Sequence, residues 1–160
     1  MGAIIKRMNI PERYRWSLED IYANDDAYEK DFRKAYEMLE DASKYRGKLK
    51  ESSFFLNECL KLRDIIFRII DKLYVYSHMK LDEDNTNSKY QALSGRAEGL
   101  NFDAEREFSF VSTEILEIPD EKLYQFFETE HNLSQYSHYI DNIKRMKPHI
   151  LSPEGENIVL

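Results

Sequence analysis

The chain has 160 residues and a net charge of −7, and its 23 basic residues are interspersed with 30 acidic ones, which argues against a nucleic-acid surface or partner. Gly (5) and Pro (4) are scarce, so there is little turn chemistry and the chain is expected to run in a few long helices. The lone Cys59 excludes an internal disulfide, and its place between Leu56 and Leu60 suits a small buried hydrophobe in a reducing compartment.

At this length a single core is expected, burying roughly 70% of the unfolded chain's surface. No apolar run approaches the ~20 residues of a membrane span. Ala3-Ile4-Ile5 is too short for a secretory leader, and Lys6 stands where a myristoylation signal would want Ser or Thr. A cytoplasmic protein with no membrane partner is the expectation.

Ser17 is placed to cap a short helix over Leu18 to Tyr22, its hydroxyl accepting from the Asp20 amide while the Asp20 carboxylate reaches back to the Ser17 amide. Asp25 or Asp26 then caps a second helix. Its apolar positions Tyr28, Phe32, Ala35, Leu39 and Ala42 form a narrow stripe that stops at Gly47, the pattern of a surface helix. Ser52 or Ser53 opens a third helix. There Leu56, Leu60, Ile66, Phe67, Ile70, Leu73 and Tyr74 make one face, and Leu62, Ile65, Ile69 and Tyr76 widen it into an arc that predicts a central position.

Asp82 to Asn87 form a polar break, after which Tyr90, Leu93, Ala97, Leu100, Ala104, Phe108, Val111, Ile115 and Ile118 keep helical spacing as far as Pro119. That spacing predicts one long fourth helix of ~48 Å at 1.5 Å per residue. Pro119, Asp120 and Glu121 open a fifth helix through Leu123, Phe126 and Phe127, with acidic groups where the helix dipole favours them. Ser134 is placed to cap a sixth that carries Tyr136, Tyr139, Ile140 and Ile143, with Lys144, Arg145 and Lys147 in its last turn and Pro148 ending it. No segment alternates with period two. The fold class is therefore all-α, an antiparallel helical bundle with two long central helices, several shorter ones and no sheet.

The residues capable of chemistry do not assemble into a catalytic pattern. His78, His131, His138 and His149 form no H-E-x-x-H, the spacing that sets two imidazoles one turn apart on a zinc ion. Glu128-Thr129-Glu130-His131 is a single E-x-x-H, where carboxylate-bridged di-metal bundles use two, and a solvated helix end explains it better. The run from Asp82 to Thr86 faintly suggests a calcium loop, but Asn87 replaces the needed Gly and Leu93 the bidentate Glu, so helix capping is favoured. Gly95 and Gly99 form a G-x-x-x-G that permits either close internal packing or a mild flexible point. The many aromatics read as packing with hydroxyls reaching solvent, ahead of a peptide-holding groove. Arg13, Arg15, Lys144, Arg145 and Lys147 could grip a peptide carboxylate, yet as scattered surface charges they receive no site. No catalytic, cofactor-binding or metal residue is assigned.

Four segments, in order and spacing, resemble the amino-terminal helical domain of oligoendopeptidase F, a zinc oligopeptidase related to thimet oligopeptidase. They are Arg15 to Tyr22; the section from Tyr74 through Ser77, Met79, Asp82, Asp84, Thr86 and Asn87; Phe110 to Leu116 with Pro119-Asp120-Glu121; and Pro148 to Ser152. The resemblance implies an all-helical domain covering the cleft of a larger catalytic domain. That domain holds zinc through a H-E-x-x-H helix and a downstream Glu, and the helical cover admits oligopeptides while excluding folded proteins.

The implied partners are the catalytic domain of the same parent chain and oligopeptide substrates. Since Leu160 precedes any zinc ligand, residues 1–151 are expected to be the domain and 152–160 the start of an unfinished helix. Zinc would then belong to the absent catalytic domain, and the isolated piece would self-associate through an uncovered apolar patch. The alternative is a stand-alone helical module that binds a peptide or partner helix without catalysis.

Overall fold

Helices start where a short polar side chain can occupy the amides of a first turn, and the computed structural model, which describes residues 9–146, shows which of several polar residues does so. Among the described residues the chain is helical, without strands, and falls into two compact units. One comprises the chain up to Glu40 together with Ile65–Arg106; the other comprises Asp41–Asp64 together with the chain from Glu107. The single core expected from length is thus replaced by two compact units, and the long helix Ser53–Glu83 contributes residues to each.

In the first unit Ser17 does not build a capping box: its side chain bonds no amide, and only a 3-10 turn, Leu18–Asp20, follows. The Ile21 and Tyr22 amides fold back on the Leu18 carbonyl at 3.0 and 3.1 Å, so the segment closes one tight turn and never reaches helical propagation. Helix α1 spans Asp25–Glu40 and is capped by Asn24, whose Oδ1 accepts from the Ala27 amide at 2.9 Å. The cap expected at Asp25 or Asp26 therefore lies one residue earlier. Asp25 accepts instead from the Tyr76 hydroxyl at 3.2 Å and pairs with Lys89.

Helix α2 spans Ser53–Glu83, with Ser52 Oγ accepting from the Phe55 amide at 3.3 Å. It buries Leu56, Cys59 and Leu60 in the second unit and Ile66, Ile70, Leu73 and Tyr76 in the first. The wide apolar arc is not enclosed: Leu62 and Ile69 are half-buried, and Ile65 and Tyr74 are exposed. Ile65 shares its face with Lys61, Arg68 and Lys72, charges whose burial would cost far more than one isoleucine could return.

At the α2 carboxyl end, Asp84 Oδ1 accepts from the Thr86 amide (3.2 Å) and hydroxyl (2.7 Å), and Asn87 Oδ1 accepts from the Lys89 amide (3.0 Å). The run 82–87 is thus a turn and a cap, and it starts α3, Ser88–Glu107. Within the unit α2 runs antiparallel to both neighbours, as shown by His78 beside Ser94 and Glu98 and by Tyr76 and Lys72 against Asp25 and Asp31. Helix α1 lies parallel to α3, with Asp25 against Lys89 and Glu29 against Arg96.

Three tyrosines fill the space between these helices. The rings of Tyr22, Tyr28 and Tyr76 stand 5.3–5.7 Å apart. Their hydroxyls donate to Asp31 Oδ2 (2.9 Å), the Leu93 carbonyl (3.1 Å) and Asp25 Oδ1 (3.2 Å), respectively. Burial raises all three above the ordinary value of 10.0, Tyr28 and Tyr76 to about 12 and Tyr22 further, with the Asp31 bond adding to the rise at Tyr22. In the opposite sense, the bond from Lys89 holds Asp25, and the bonds from Arg96 hold Glu29, below their ordinary carboxylate values.

Along α3 the buried positions are Leu93, Ser94, Ala97, Leu100 and Ala104. Gly95 and Gly99 face outward, and a methyl group built on either meets nothing within 4 Å, which overturns the close-packing reading of the G-x-x-x-G. The single long fourth helix is also corrected: α3 stops at Glu107, and α4 runs Phe110–Glu117. Arg46 Nη2 donates to the Glu107 carbonyl at 3.4 Å, the acceptor that Val111 would use in a continuous helix, and the Val111 amide turns to the Phe108 carbonyl at 3.0 Å.

In the second unit the chain passes from a 3-10 turn, Asp41–Tyr45, to Gly47, whose φ of 82° ends helical winding. Glu114 on α4 accepts from the Gly47 amide (2.5 Å) and the Leu49 amide (3.1 Å). Helix α5, Asp120–Thr129, follows Pro119, and a 3-10 turn, His131–Tyr136, leads to α6, Ser137–Met146. Ser134, expected to cap the sixth helix, lies instead inside the turn, where its hydroxyl donates to the His131 carbonyl at 2.7 Å; Glu130 caps that turn, accepting from the Asn132 amide at 3.3 Å. Lys144 donates to the Ile118 carbonyl and, at 3.0 Å, to Asp120, tying α6 to the α4–α5 junction. Lys147, Pro148 and His149, the boundary at 151/152 and the unfinished helix lie outside the described residues.

Three consequences are measurable by urea denaturation. Gly95→Ala and Gly99→Ala should each stabilise by about 0.5–1 kcal/mol, because helix propensity improves and nothing is displaced, whereas Gly47→Ala should destabilise by about 1 kcal/mol. Glu114→Gln should cost about 1–2 kcal/mol through weaker bonds to two loop amides. Asp25 and Glu29, with folded values below unfolded ones, contribute above about pH 5 and lose that contribution as pH falls; the tyrosines, raised on folding, contribute below about pH 9 and lose it as pH rises. The unfolding midpoint should therefore be flat between these limits and fall on both sides. Glu29→Gln should flatten the acid limb and Tyr28→Phe the alkaline limb.

Candidate functional site

Two places in the first unit gather side chains with chemical capacity. In one, His78 of α2 lies between Ser94 and Glu98 of α3, its Nε2 3.3 Å from Glu98 Oε1 and its Nδ1 3.2 Å from the Tyr74 carbonyl. The order Ser, His, Glu suggests a relay, but Ser94 Oγ stands 3.4 Å from Nδ1 and 3.5 Å from Nε2. A hydroxyl equidistant from both nitrogens faces the ring and not one in-plane lone pair, so proton abstraction along that contact is not set up. Ser94 is also buried, and Tyr74 stacks on the imidazole with centroids 3.8 Å apart. The group joins two helices.

The other place is a cavity lined by Trp16, Met79, Asp82 and Glu83. Met79, Asp82 and Glu83 come from the last turns of α2, spaced to share a face, and Trp16 from the segment preceding the Leu18–Asp20 turn. Reading along the chain missed this meeting, since Trp16 stood in one segment and Asp82 and Glu83 in a polar break. The residue types, an indole and a pair of carboxylates, carried the only available signal.

The remaining candidates stay dispersed. Glu128 and His131 are both exposed at the end of α5 and the start of the following turn. Among the described residues no three His, Cys, Asp or Glu side chains are grouped to hold a metal ion. Arg13 lies over the Tyr14 ring at 4.8 Å, and Arg15 Nε donates to the Ile10 carbonyl at 2.6 Å, both in the first unit; Lys144 and Arg145 belong to the second. Burial lifts the Cys59 thiol to about 12, which suppresses the thiolate and suits the packing role read from its neighbours. Among the described residues no helix is long and apolar enough to cross a membrane.

Comparison with known proteins agrees with this architecture. A family profile described as Oligopeptidase F matches residues 114–160. Oligopeptidase PepF of Bacillus subtilis (strain 168) is 37% identical over 153 residues, covering 96% of this chain and 23% of the relative. The crystal structure of oligoendopeptidase-F from Enterococcus faecium superposes with a TM-score of 0.73 at 30% identity, over 85% of this chain and 27% of that one. A putative peptidase from Chlamydophila abortus shares the fold, with a TM-score of 0.78 over 98% of this chain and 27% of its own, at 23% identity. The chain thus spans about a quarter of the length of these relatives. Sequence and fold together match this chain to the amino-terminal helical region of oligoendopeptidase F proteins.

Proposed function

We propose that this chain serves as the non-catalytic helical domain of a cytoplasmic zinc metallo-oligoendopeptidase, covering the cleft in which oligopeptides are hydrolysed and restricting the size of what enters. The observation that carries this reading is the extent of the match: 96% of the chain aligns with an oligopeptidase of which it accounts for only 23%. The sequence contains no H-E-x-x-H, so zinc, which would polarise the scissile carbonyl and activate a water, would be bound by another part of the parent. What these helices supply is a wall, and a wall of packed helices discriminates by size because it does not yield to a folded substrate.

The uncovered side chains fit a domain that rests on a larger partner. Phe102 on α3 is 70% exposed, on the same side as Gly95 and Gly99, and Ile65 and Val75 on α2 are also exposed. Alone, the chain would self-associate through such surfaces.

A chimaera tests the reading: residues 9–146 replace the matching segment of the Bacillus subtilis relative. The chimaera should hydrolyse short peptides and leave a folded protein substrate intact, the same enzyme with the segment deleted should lose that discrimination, and the 160-residue chain alone should hydrolyse neither. Identical cutting patterns for chimaera and deletion would refute the cover role.

A further inference from the structure

The turn between Tyr45 and α2 already holds a carboxylate in the way a receptor for one would. Gly47, at a φ of 82°, directs its amide to Glu114 Oε1 at 2.5 Å, and Leu49 directs its own to Glu114 Oε2 at 3.1 Å. Each oxygen of one planar group thus takes one backbone N–H. Concavities of backbone amides bind anions in this manner, the carboxyl ends of peptides among them. Arg46, Lys48 and Lys50 alternate with the two amide-bearing residues, so the turn is basic as well.

The resident carboxylate is placed to be exchanged. The bond to the Gly47 amide is exposed, and a methyl group built on Gly47 meets nothing within 4 Å, which leaves room for an approaching ligand. Arg46 stands 3.8 Å from Glu107 and Lys50 3.0 Å from Glu117, the two cations being 53% and 54% exposed. Such surface pairs contribute little and re-form readily with another anion. Lys48 lies over the Phe55 ring at 5.6 Å, a contact that leaves its charge in place.

A metal ion finds no ligand here, because a backbone N–H has no lone pair to offer. A neutral carbonyl would replace charge-assisted bonds with ordinary ones and would not displace Glu114. A second carboxylate exchanges like for like at the two amides and adds the attraction of the basic side chains.

We propose that this turn is a binding site for a peptide carboxylate, with Glu114 as the resident group that the ligand displaces. The proposal draws on the peptidase reading only for the source of the carboxylate, a peptide substrate or product; the chemistry of the turn stands without it.

The Gly47 and Leu49 amide resonances report on the site directly. The isotope-labelled chain would be titrated, at matched pH and ionic strength, with N-acetyl-trialanine bearing a free carboxyl end, with N-acetyl-glutamate α-methylamide, with neutral N-acetyl-trialanine amide, and with inorganic phosphate. Saturable shifts of both amides with at least one carboxylate peptide are expected, absent for the neutral peptide and weaker for phosphate. The tighter of the two carboxylates identifies the source as a chain end or an acidic side chain.

Glu114→Ala should lower the half-saturation concentration about tenfold, because the resident no longer competes for the amides. If that variant loses far-ultraviolet helix signal, Glu114→Gln replaces it, with the same direction expected from its weaker hold on the amides. The absence of saturation by both carboxylates, an equal response to the neutral peptide, a stronger response to phosphate, or an unchanged half-saturation in the folded variant would each overturn the proposal. A chimaera that fails to discriminate substrates by size, alongside a positive carboxylate titration, would sink the cover role and leave this site standing.

Discussion

Burying a phenol commits a fold to finding its hydroxyl a partner, and in the first unit that constraint is met three times over. Tyr22, Tyr28 and Tyr76 supply the volume that fills the space among α1, α2 and α3, and each hydroxyl donates to an acceptor on another element. Two of those acceptors are carboxylates, so a negative charge is drawn toward the core and must be balanced. Lys89 pairs with Asp25, and Lys72 lies 3.9 Å from Asp31 and 4.0 Å from the Tyr22 ring centroid. Aromatic packing therefore dictates the placement of the acids, and the acids dictate that of the lysines. Single surface ion pairs are worth little in general, but these are tied to buried donors and report on the whole assembly.

The second unit solves a different problem, that of a stretch between helices whose amides have no helical acceptor. Gly47 and Leu49 turn their amides to Glu114, and Lys50 reaches Glu117 at 3.0 Å, so one side of α4 is committed to holding this turn. Arg46, in the same turn, takes the Glu107 carbonyl and lies over the Phe110 ring at 5.1 Å. The apolar spacing from Tyr90 to Ile118 is real, but the backbone ladder shifts register after Glu107 and divides it into two helices. The break has neither proline nor glycine; what marks it is the Val111 amide bonding three residues back, to Phe108, with Arg46 against the Glu107 carbonyl.

What was legible in the chain follows from that distinction. Apolar periodicity is a local property, and it identified the buried faces: Leu56, Leu60, Ile66, Ile70 and Leu73 on α2, and Leu93, Ala97, Leu100 and Ala104 on α3 are all buried. The polar turn before α3 was legible for the same reason, since Asp84 and Asn87 bond amides two residues away. Cap identity was not, because adjacent Asn, Asp and Ser compete on nearly equal terms and tertiary partners decide: Asp25 is taken by Tyr76 and Lys89, which leaves the cap to Asn24. The division into two units, the outward aspect of Gly95 and Gly99, and the meeting of Trp16 with Met79, Asp82 and Glu83 depend on packing between distant segments and leave no periodic trace. The family resemblance, carried by ordered short motifs, reached further than any of these local signals.

The electrostatics bear on the division of labour proposed for such a domain. General acid–base catalysis works best when a group titrates near the operating pH. Each shift resolved among the described residues goes the other way: tyrosines and Cys59 are raised, Asp25 and Glu29 are lowered, and Lys89 and Arg96 are raised by the same carboxylates. These pairings reinforce the charge states already dominant at neutrality, which favours a rigid scaffold over a proton-transfer site. Rigidity is the property a size-selecting cover requires, because discrimination is lost as soon as the wall deforms around an oversized substrate.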